Sequence, residues 1–383
     1  MVNNTKLGNA KAAKNDEFYT QYEDIEKEMQ AYLEYNTNVF RNKVVFLPCD
    51  DPDKSNFTRY FAQNFQRFGL KKLISTSYAP EAKRLKYGIT NDLFNPDIET
   101  MPETNKVHGK LFVLDRDKNG DGHIDFNDLE WSLLNGDGDF RSGEVKKIRD
   151  TADFIITNPP FSLFREFIAW IMEAGKGFSI IGNMNAITYK EVFPLIKTNK
   201  IWIGATNFNV GMYFQVPKDF TYAPSYKFIR EKDGHAVNRV PGVCWFTSIE
   251  HGRRHQSLQL MTKADNIKYS RHKEIKHGYQ KYDNYDAIEI PYTDAIPSDY
   301  KGVMGVPISF MDKYCPEQFE ILGMCENEDL YKLKTRFYTT SECKQAYLNK
   351  FGKTGTYDLN ASGVIKKDDH LEKVYQRILI HKK

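Results

Sequence analysis

The sequence predicts an α/β protein: a mainly parallel sheet covered by helices on both faces, with a separate C-terminal module. Short apolar runs alternate with stretches of helical period through the first 250 residues, the pattern of strand–helix–strand crossovers. Those runs are nearly continuous in apolar character, as in strands buried on both faces. Beyond about residue 250 the pattern loosens: "KYDNYDAIEIPYTDAIPSDYKGVMGVPISF" is rich in Tyr, Pro and Gly with short extended runs. The expected domains are therefore 1–250 and 251–383.

In the stretch 42–78, Val44–Cys49 reads as a strand. Phe57, Tyr60, Phe61, Asn64, Phe65 and Phe68 then recur at helical spacing, and Gly69 stands where a helix stop belongs. Leu73–Tyr78 reads as the next strand. Further strands are expected at Leu111–Leu114, Phe154–Thr157, Phe178–Ile181, Ile201–Ile203 and Val243–Thr247, with helices over 163–174 and 188–197.

With 383 residues the chain has room for two domains and a substantial core. Five cysteines, odd in number and without a Cys-x-x-Cys pair, suggest neither a disulfide framework nor a zinc ribbon. The N-terminus is polar and no later run approaches the length of a membrane span, so no membrane association and a cytoplasmic location, prokaryotic or phage-encoded, are expected. The net charge of +3 decides little, but its distribution is uneven. Residues 250–281 concentrate Arg253, Arg254, Lys263, Lys268, Arg271, Lys273, Lys276 and Lys281 against few acids. Such a segment suits a phosphate backbone; a merely solvated surface is the alternative. Histidines here, among them His251, His255, His272 and His277, suit phosphate or solvent better than metal.

The most informative stretch is "DFIITNPPFSLFREFIAWI", residues 153–171. Between a strand and a helix stand Asn158, Pro159, Pro160 and Phe161, and two successive prolines stiffen a turn at the cost of regular structure. Composition alone would yield an Asn-Pro-Pro-aromatic tetrapeptide at roughly the one per cent level. A double-proline start to the helix is the structural alternative. Chemically, the turn suits an exocyclic amine on a planar ring. The Asn158 side-chain carbonyl and the Pro159 backbone carbonyl provide acceptors for two N–H bonds, and Phe161 stacks on the ring. Such an amine is a weak nucleophile because its lone pair is delocalised. Accepting both hydrogens from fixed positions favours the pyramidal geometry that frees it.

The first strand ends in "PCDDPDKSNF", with Asp50 and Asp51 in place of a glycine-rich phosphate loop. Carboxylates there suit a cationic ligand, and S-adenosylmethionine carries both an ammonium and a sulfonium. Either aspartate could instead cap the following helix. "DKNGDGHIDFND", residues 117–128, fits an EF-hand-like loop with Asp117, Asn119, Asp121 and Asp128 as ligands, Gly122 at the sixth position and Ile124 at the eighth. This predicts a structural calcium ion that orders the segment without joining the chemistry. A strand-like stretch before the loop, and Asp rather than Glu at its last position, count against the site, and an acidic surface turn is the alternative. "SGEVKK" contains a Glu-x-Lys that hints at nuclease chemistry, but no second carboxylate cluster accompanies it.

"DEFYTQYEDIE", "CDDPDKSNF", "GDGDFRS", "TNPPFSLF", "ITYKEVF", "IWIG", "KYDNYDAI", "YKGVMGVPISF" and "PEQFE" occur in this order. Together they closely resemble the EcoRI-type adenine-specific DNA methyltransferase family, through nearly the whole chain. The resemblance implies a Rossmann-like class I methyltransferase sheet with an antiparallel strand near its end, and an appended C-terminal target-recognition module. It implies that Asn158, Pro159, Pro160 and Phe161 hold an adenine rotated out of the duplex. It further implies that Asp139 accepts from the amine of the cofactor's adenine while Phe140 packs on its face. Tyr19 and Thr20 would close over the cofactor's methionine end, although Thr20 with Glu23 also fits a helix capping box. Asp50 and Asp51 occupy the first-strand motif, and which of them meets the cofactor is open.

The expected reaction is methyl transfer from S-adenosylmethionine to the N6 amine of adenine in double-stranded DNA by a monomer. Arg253, Arg254, Lys268, Arg271 and Lys273 would contact the nucleic acid. A companion restriction endonuclease is a possible separate partner, and the resemblance suggests a GAATTC-like target. The alternatives are an RNA base or a protein glutamine as acceptor, or a DNA-binding protein without activity.

Overall fold

The computed structural model describes residues 19–51, 55–79, 107–216, 228–232, 235–367 and 370–383. Segments 16–18 and 52–54, parts of two motifs quoted above, lie outside the described residues. The chain divides into two compact units, Met1–Gly252 and Arg253–Lys383.

In the first unit, in chain order, the strands are β1 (Tyr19–Thr20), β2 (Val44–Pro48), β3 (Lys72–Thr76), β4 (Lys110–Leu114), β5 (Glu130–Leu133) and β6 (Phe154–Thr157). They continue with β7 (Gly177–Asn183), β8 (Trp202–Ile203), β9 (Met212–Val216), β10 (Phe228–Lys232), β11 (His235–Val240) and β12 (Val243–Thr247). Eight of them form one sheet in the order β5-β4-β3-β2-β6-β7-β12-β8. The four central strands β3, β2, β6 and β7 are parallel. Antiparallel pairs flank them on both sides: β4 on β3 and β5 on β4, then β12 on β7 and β8 on β12. The sheet is thus mixed, where the sequence led us to expect a mainly parallel one with an antiparallel strand near its end. β4 reverses direction against β3, which no apolar pattern encodes.

The helices α1 (Tyr22–Tyr35), α2 (Asn56–Gln63), α3 (Phe65–Phe68), α4 (Gly143–Thr151), α5 (Phe164–Ala174) and α6 (Phe193–Lys197) cover this sheet. The predicted helix over 57–68 is broken at Asn64 and stops at Gly69, whose φ of 64° is the left-handed cap that glycine adopts without strain. Ile25, Met29 and Tyr32 of α1 and Phe57, Tyr60 and Phe61 of α2 pack with Val45, Leu73, Ile156 and Trp245 of the sheet in one core. Each such side chain stabilises the fold by about 1.5–3 kcal/mol on burial. A second, wholly antiparallel sheet, β1-β9-β11-β10, was not foreseen; it pairs Thr20 with Phe214 and so fixes the N-terminal motif.

The second unit holds β13 (Ala287–Glu289), β14 (Val303–Pro307), β15 (Phe319–Met324) and β18 (Arg377–Lys382) in a sheet of order β13-β14-β18-β15. A hairpin of β16 (Val364–Lys367) and β17 (His370–Lys373) forms a separate sheet, with Ile365 packed among Ala287 of β13 and Leu379 of β18. The helices here are α7 (Lys263–Tyr269), α8 (Lys273–Lys276) and α9 (Thr340–Phe351). A reciprocal capping box between Thr339 and Glu342 starts α9. Arg377 and Glu289, both buried, form an ion pair at 2.6 Å, and Tyr282 donates its hydroxyl to the same carboxylate. All five cysteines are free thiols. Among the described residues no helix is long and apolar enough to cross a membrane.

Candidate active site at the turn of the strand order

The strand order turns between β2 and β6: β3 extends the sheet beside β2, and β7 extends it beside β6. In open α/β sheets the crevice beyond the C-terminal ends of such strands is where ligands bind. β2 leads into Cys49, whose φ of 62° turns the chain sharply, and then into Asp50 and Asp51. The Asp50 amide donates to the Thr76 carbonyl at 2.8 Å. Its carboxylate accepts from the Thr58 hydroxyl at 2.7 Å, the Thr58 amide at 3.2 Å and the Ser55 hydroxyl. Burial pushes this carboxyl up to about 7 against those donors. Asp50 is therefore occupied with the start of α2, whereas Asp51 is only partly buried.

Beside it, Thr157 closes β6 and donates its hydroxyl to the Pro48 carbonyl at 2.6 Å. The chain passes through Asn158, the buried Pro159 and Pro160, makes a short 3-10 turn over Phe161–Leu163, and enters α5 only at Phe164. Pro160 stands at the N-terminal cap of that 3-10 turn, its carbonyl accepting from the Leu163 amide at 2.9 Å, so the prolines precede α5 by one turn. Phe161 is half-buried against the core.

The "GDGDFRS" loop reaches the same end of the sheet through backbone contacts. Ala79 donates to Asp137 at 2.7 Å, and Gly109 to Gly136 at 2.9 Å. Gly138, at φ 81°, lies so close to the Ser77 carbonyl that no larger residue fits. Asp139 accepts from both the Nε and Nη2 of Arg141, at 2.9 and 2.7 Å. Arg141 Nη1 reaches Glu166 of α5 at 2.9 Å. Phe140 is buried edge-on against Phe167 and Trp170 of α5, with ring centroids 5.0 and 5.6 Å away. Glu144, part of the Glu-x-Lys, accepts from the Asn135 and Gly136 amides at 2.9 and 3.0 Å, a loop-holding role that offers nothing to nuclease chemistry.

The N-terminal motif joins the group from α2: Asn56 donates its side-chain amide to the Thr20 carbonyl at 2.8 Å. The capping box between Thr20 and Glu23 is not formed, since Gln21 caps α1 without a side-chain bond. The buried hydroxyls of Thr20 and Thr76 make no hydrogen bond among the described residues. Two buried polar groups with unmet bonding capacity suit a polar ligand at this end of the sheet, so the residues present fit the expected cofactor. Tyr19 sits beside Thr20 in β1, partly buried.

The expected calcium site is corrected. The loop is the connection of the antiparallel pair β4–β5, not a helix–loop–helix. Its carboxylates turn inward to backbone amides: Asp117 takes those of Gly120 and Gly122, Asp121 that of His123, and Asp128 those of Lys118, Asn119 and Asp125. Asn119 donates to the Asp121 carboxylate. Among the described residues no group of three or more His, Cys, Asp or Glu converges to hold a metal ion. Ile124 tucks against the core and anchors the turn.

In the second unit the basic residues differ in availability. Arg253 is ion-paired with Asp312, and Arg254 is buried. Lys268, Arg271 and Lys273 are exposed, although Arg271 shares Asp294 with His272. Within the same unit lies a cavity of about 1080 Å³, lined among others by Tyr292, Phe351, Lys366, Lys373 and Tyr375. The sequence reading did not single out Arg141, Glu166 or Thr76; of these only Arg141 carried a signal, its place two residues after Asp139.

Comparison with known proteins shows the family of the chain. The chain is 41% identical over 328 residues to the Type II methyltransferase M.EcoRI of Escherichia coli, covering 85% of this chain and 91% of that protein. It is 35% identical over 335 residues to the Type II methyltransferase M.MpnI of Mycoplasma pneumoniae, covering 87% and 90%. It is 34% identical over 319 residues to the Type II methyltransferase M.MgeORF184P of Mycoplasma genitalium, covering 83% and 86%. No solved structure matches the chain significantly. The family model described as adenine-specific methyltransferase EcoRI matches residues 6–383, and the chain belongs to that family.

Proposed function

We propose that this protein transfers a methyl group from S-adenosylmethionine to the exocyclic N6 amine of an adenine rotated out of double-stranded DNA. The observation that carries the proposal is convergence: four separate sequence motifs meet where the strand order turns, at the ends of β2, β3 and β6. Bound S-adenosylmethionine supplies an electrophilic methyl group on a sulfonium. Tyr19, Thr20 and Asp51 hold its methionine end and Asp139 with Phe140 its adenine, while Asp50 secures the loop beneath. Asn158 and Pro159 accept the two hydrogens of the target amine, and Phe161 stacks on the base. Fixed acceptors placed in advance lower the barrier without reorganising during the reaction. The leaving proton passes to water once the carbon–nitrogen bond has formed.

The first unit is the catalytic domain, and the second reads the duplex as a target-recognition module. Lys268, Arg271 and Lys273, with the cations and rings of the cavity, suit a phosphate backbone and base edges. Arg253 and Arg254 belong to the framework that presents them. A monomer acts on an asymmetric contact surface, and a companion restriction endonuclease would be a separate protein.

The test is transfer of labelled methyl to plasmid DNA, followed by digestion to nucleosides. Label in N6-methyl-2′-deoxyadenosine is the expected result. Unlabelled DNA from folded, cofactor-binding protein would overturn the substrate assignment.

A further inference from the structure

We infer that Arg141 is a positioning residue that aims the Asp139 carboxylate at the amine of the cofactor's adenine, and that Glu166 anchors it from the helix following the target-base turn. The inference rests on the assignment of Asp139 to that adenine. Asp139 stands on a loop, and a carboxylate on a loop rotates about its side-chain bonds unless something fixes its plane. Here the Arg141 fork does so, with Nε on Oδ1 at 2.9 Å and Nη2 on Oδ2 at 2.7 Å. The Arg141 amide adds a third bond to Oδ1 at 2.9 Å. A planar two-point pair of this kind defines direction as well as distance, which a lysine ammonium does not.

The guanidinium is itself held. Its remaining nitrogen Nη1 reaches Glu166 at 2.9 Å, and its plane lies over the Phe140 ring at 5.4 Å. Phe140 in turn packs on Phe167 and Trp170 of the same helix as Glu166. One arginine thereby ties the cofactor-adenine loop to α5, the helix that leaves the Asn158–Phe161 turn. Pairing with Asp139 and Glu166 keeps the guanidinium charged at any working pH. The Asp139 side chain is 12% exposed and that of Glu166 56%, so the Asp139 bond is the sheltered one and Glu166 the weaker outer brace.

The experiment compares equilibrium binding of S-adenosylhomocysteine and S-inosylhomocysteine, which differ in whether the purine carries an amine or a carbonyl. Wild type, Asp139→Asn, Arg141→Ala, Arg141→Lys and Glu166→Gln are measured, with thermal unfolding as the control for folding. Arg141→Ala is expected to weaken S-adenosylhomocysteine by about tenfold and to erode discrimination against the inosine analogue. Arg141→Lys falls between Arg141→Ala and wild type, and Glu166→Gln shifts binding by about twofold to threefold. A general loosening of the fold would weaken both ligands alike and leave their ratio unmoved. An unchanged ratio in Arg141→Ala, with Asp139→Asn losing it, overturns the inference and leaves the Asp139 assignment standing. An unchanged ratio in Asp139→Asn overturns that assignment, and the inference with it.

Discussion

Thr157 donates its hydroxyl to the Pro48 carbonyl at 2.6 Å, joining the end of β6 to the end of β2 where the strand order turns. One residue further along β6 comes Asn158, and two residues beyond Pro48 comes Asp50. The bond therefore sets the spacing between the Asn158–Phe161 turn and the first-strand motif. Thr157→Val keeps the shape and removes the donor inside a buried region. The expected cost is about 1–3 kcal/mol in denaturant unfolding, with a fall in kcat/KM. Unchanged stability and turnover would show that the bond does not set that spacing.

Asn158→Ala is expected to abolish methyl transfer while DNA binding, measured by mobility shift, stays within about threefold, because in the proposed function the side chain acts on the amine and not on the duplex. Equal loss of both would indicate a disrupted fold.

Burial raises the carboxyl of Asp50 from 3.8 to about 7, and those of Glu28 and Asp24 in the same direction. At these three groups the folded chain binds more protons than the unfolded chain, so the stability they contribute is lost as pH rises from about 4 through about 7. Urea unfolding as a function of pH should show this slope, and Asp50→Asn should flatten it in part. A variant curve parallel to that of wild type would remove Asp50 as a cause.

The buried pair of Arg377 and Glu289 supports the second unit. Arg377→Met alone strands the Glu289 carboxylate beside the Tyr282 hydroxyl and is expected to cost about 3–5 kcal/mol. Adding Glu289→Leu should recover much of that loss. A double variant no more stable than the single one would mean that packing, not stranded charge, causes it.

For DNA binding, Lys268→Ala, Arg271→Ala and Lys273→Ala should each lower the slope of log affinity against log salt by about one. Arg253→Ala should instead reduce stability, since it leaves the largely sheltered Asp312 carboxylate with only the longer Lys313 contact at 3.6 Å. An Arg253→Ala slope reduced as much as the others would return that residue to the nucleic-acid surface.

The strands β6 and β12 stand where their apolar runs placed them, and the Asn158–Phe161 turn lies between strand and helix as read. Those features are local: a run of buried β-branched and aromatic residues, and two prolines, act on the chain beside them. Strand direction is not local. β4 pairs antiparallel with β3, and Thr20 pairs with Phe214, through contacts far apart in sequence. The EF-hand-like spacing of Asp117 to Asp128 was a real turn signal, but the same side chains satisfy backbone amides, and spacing alone does not separate the two uses. Likewise Arg253 and Arg254 look alike in sequence to Arg271, and only burial and the Asp312 partner distinguish them.

The most direct measurement is single-molecule mapping of modified bases in plasmid DNA from cells expressing the wild-type chain or Asn158→Ala. N6-methyladenine is expected at every copy of one short sequence with the wild type and at none with the variant. Unmodified adenine in the presence of folded, cofactor-binding wild-type protein would contradict the proposed function.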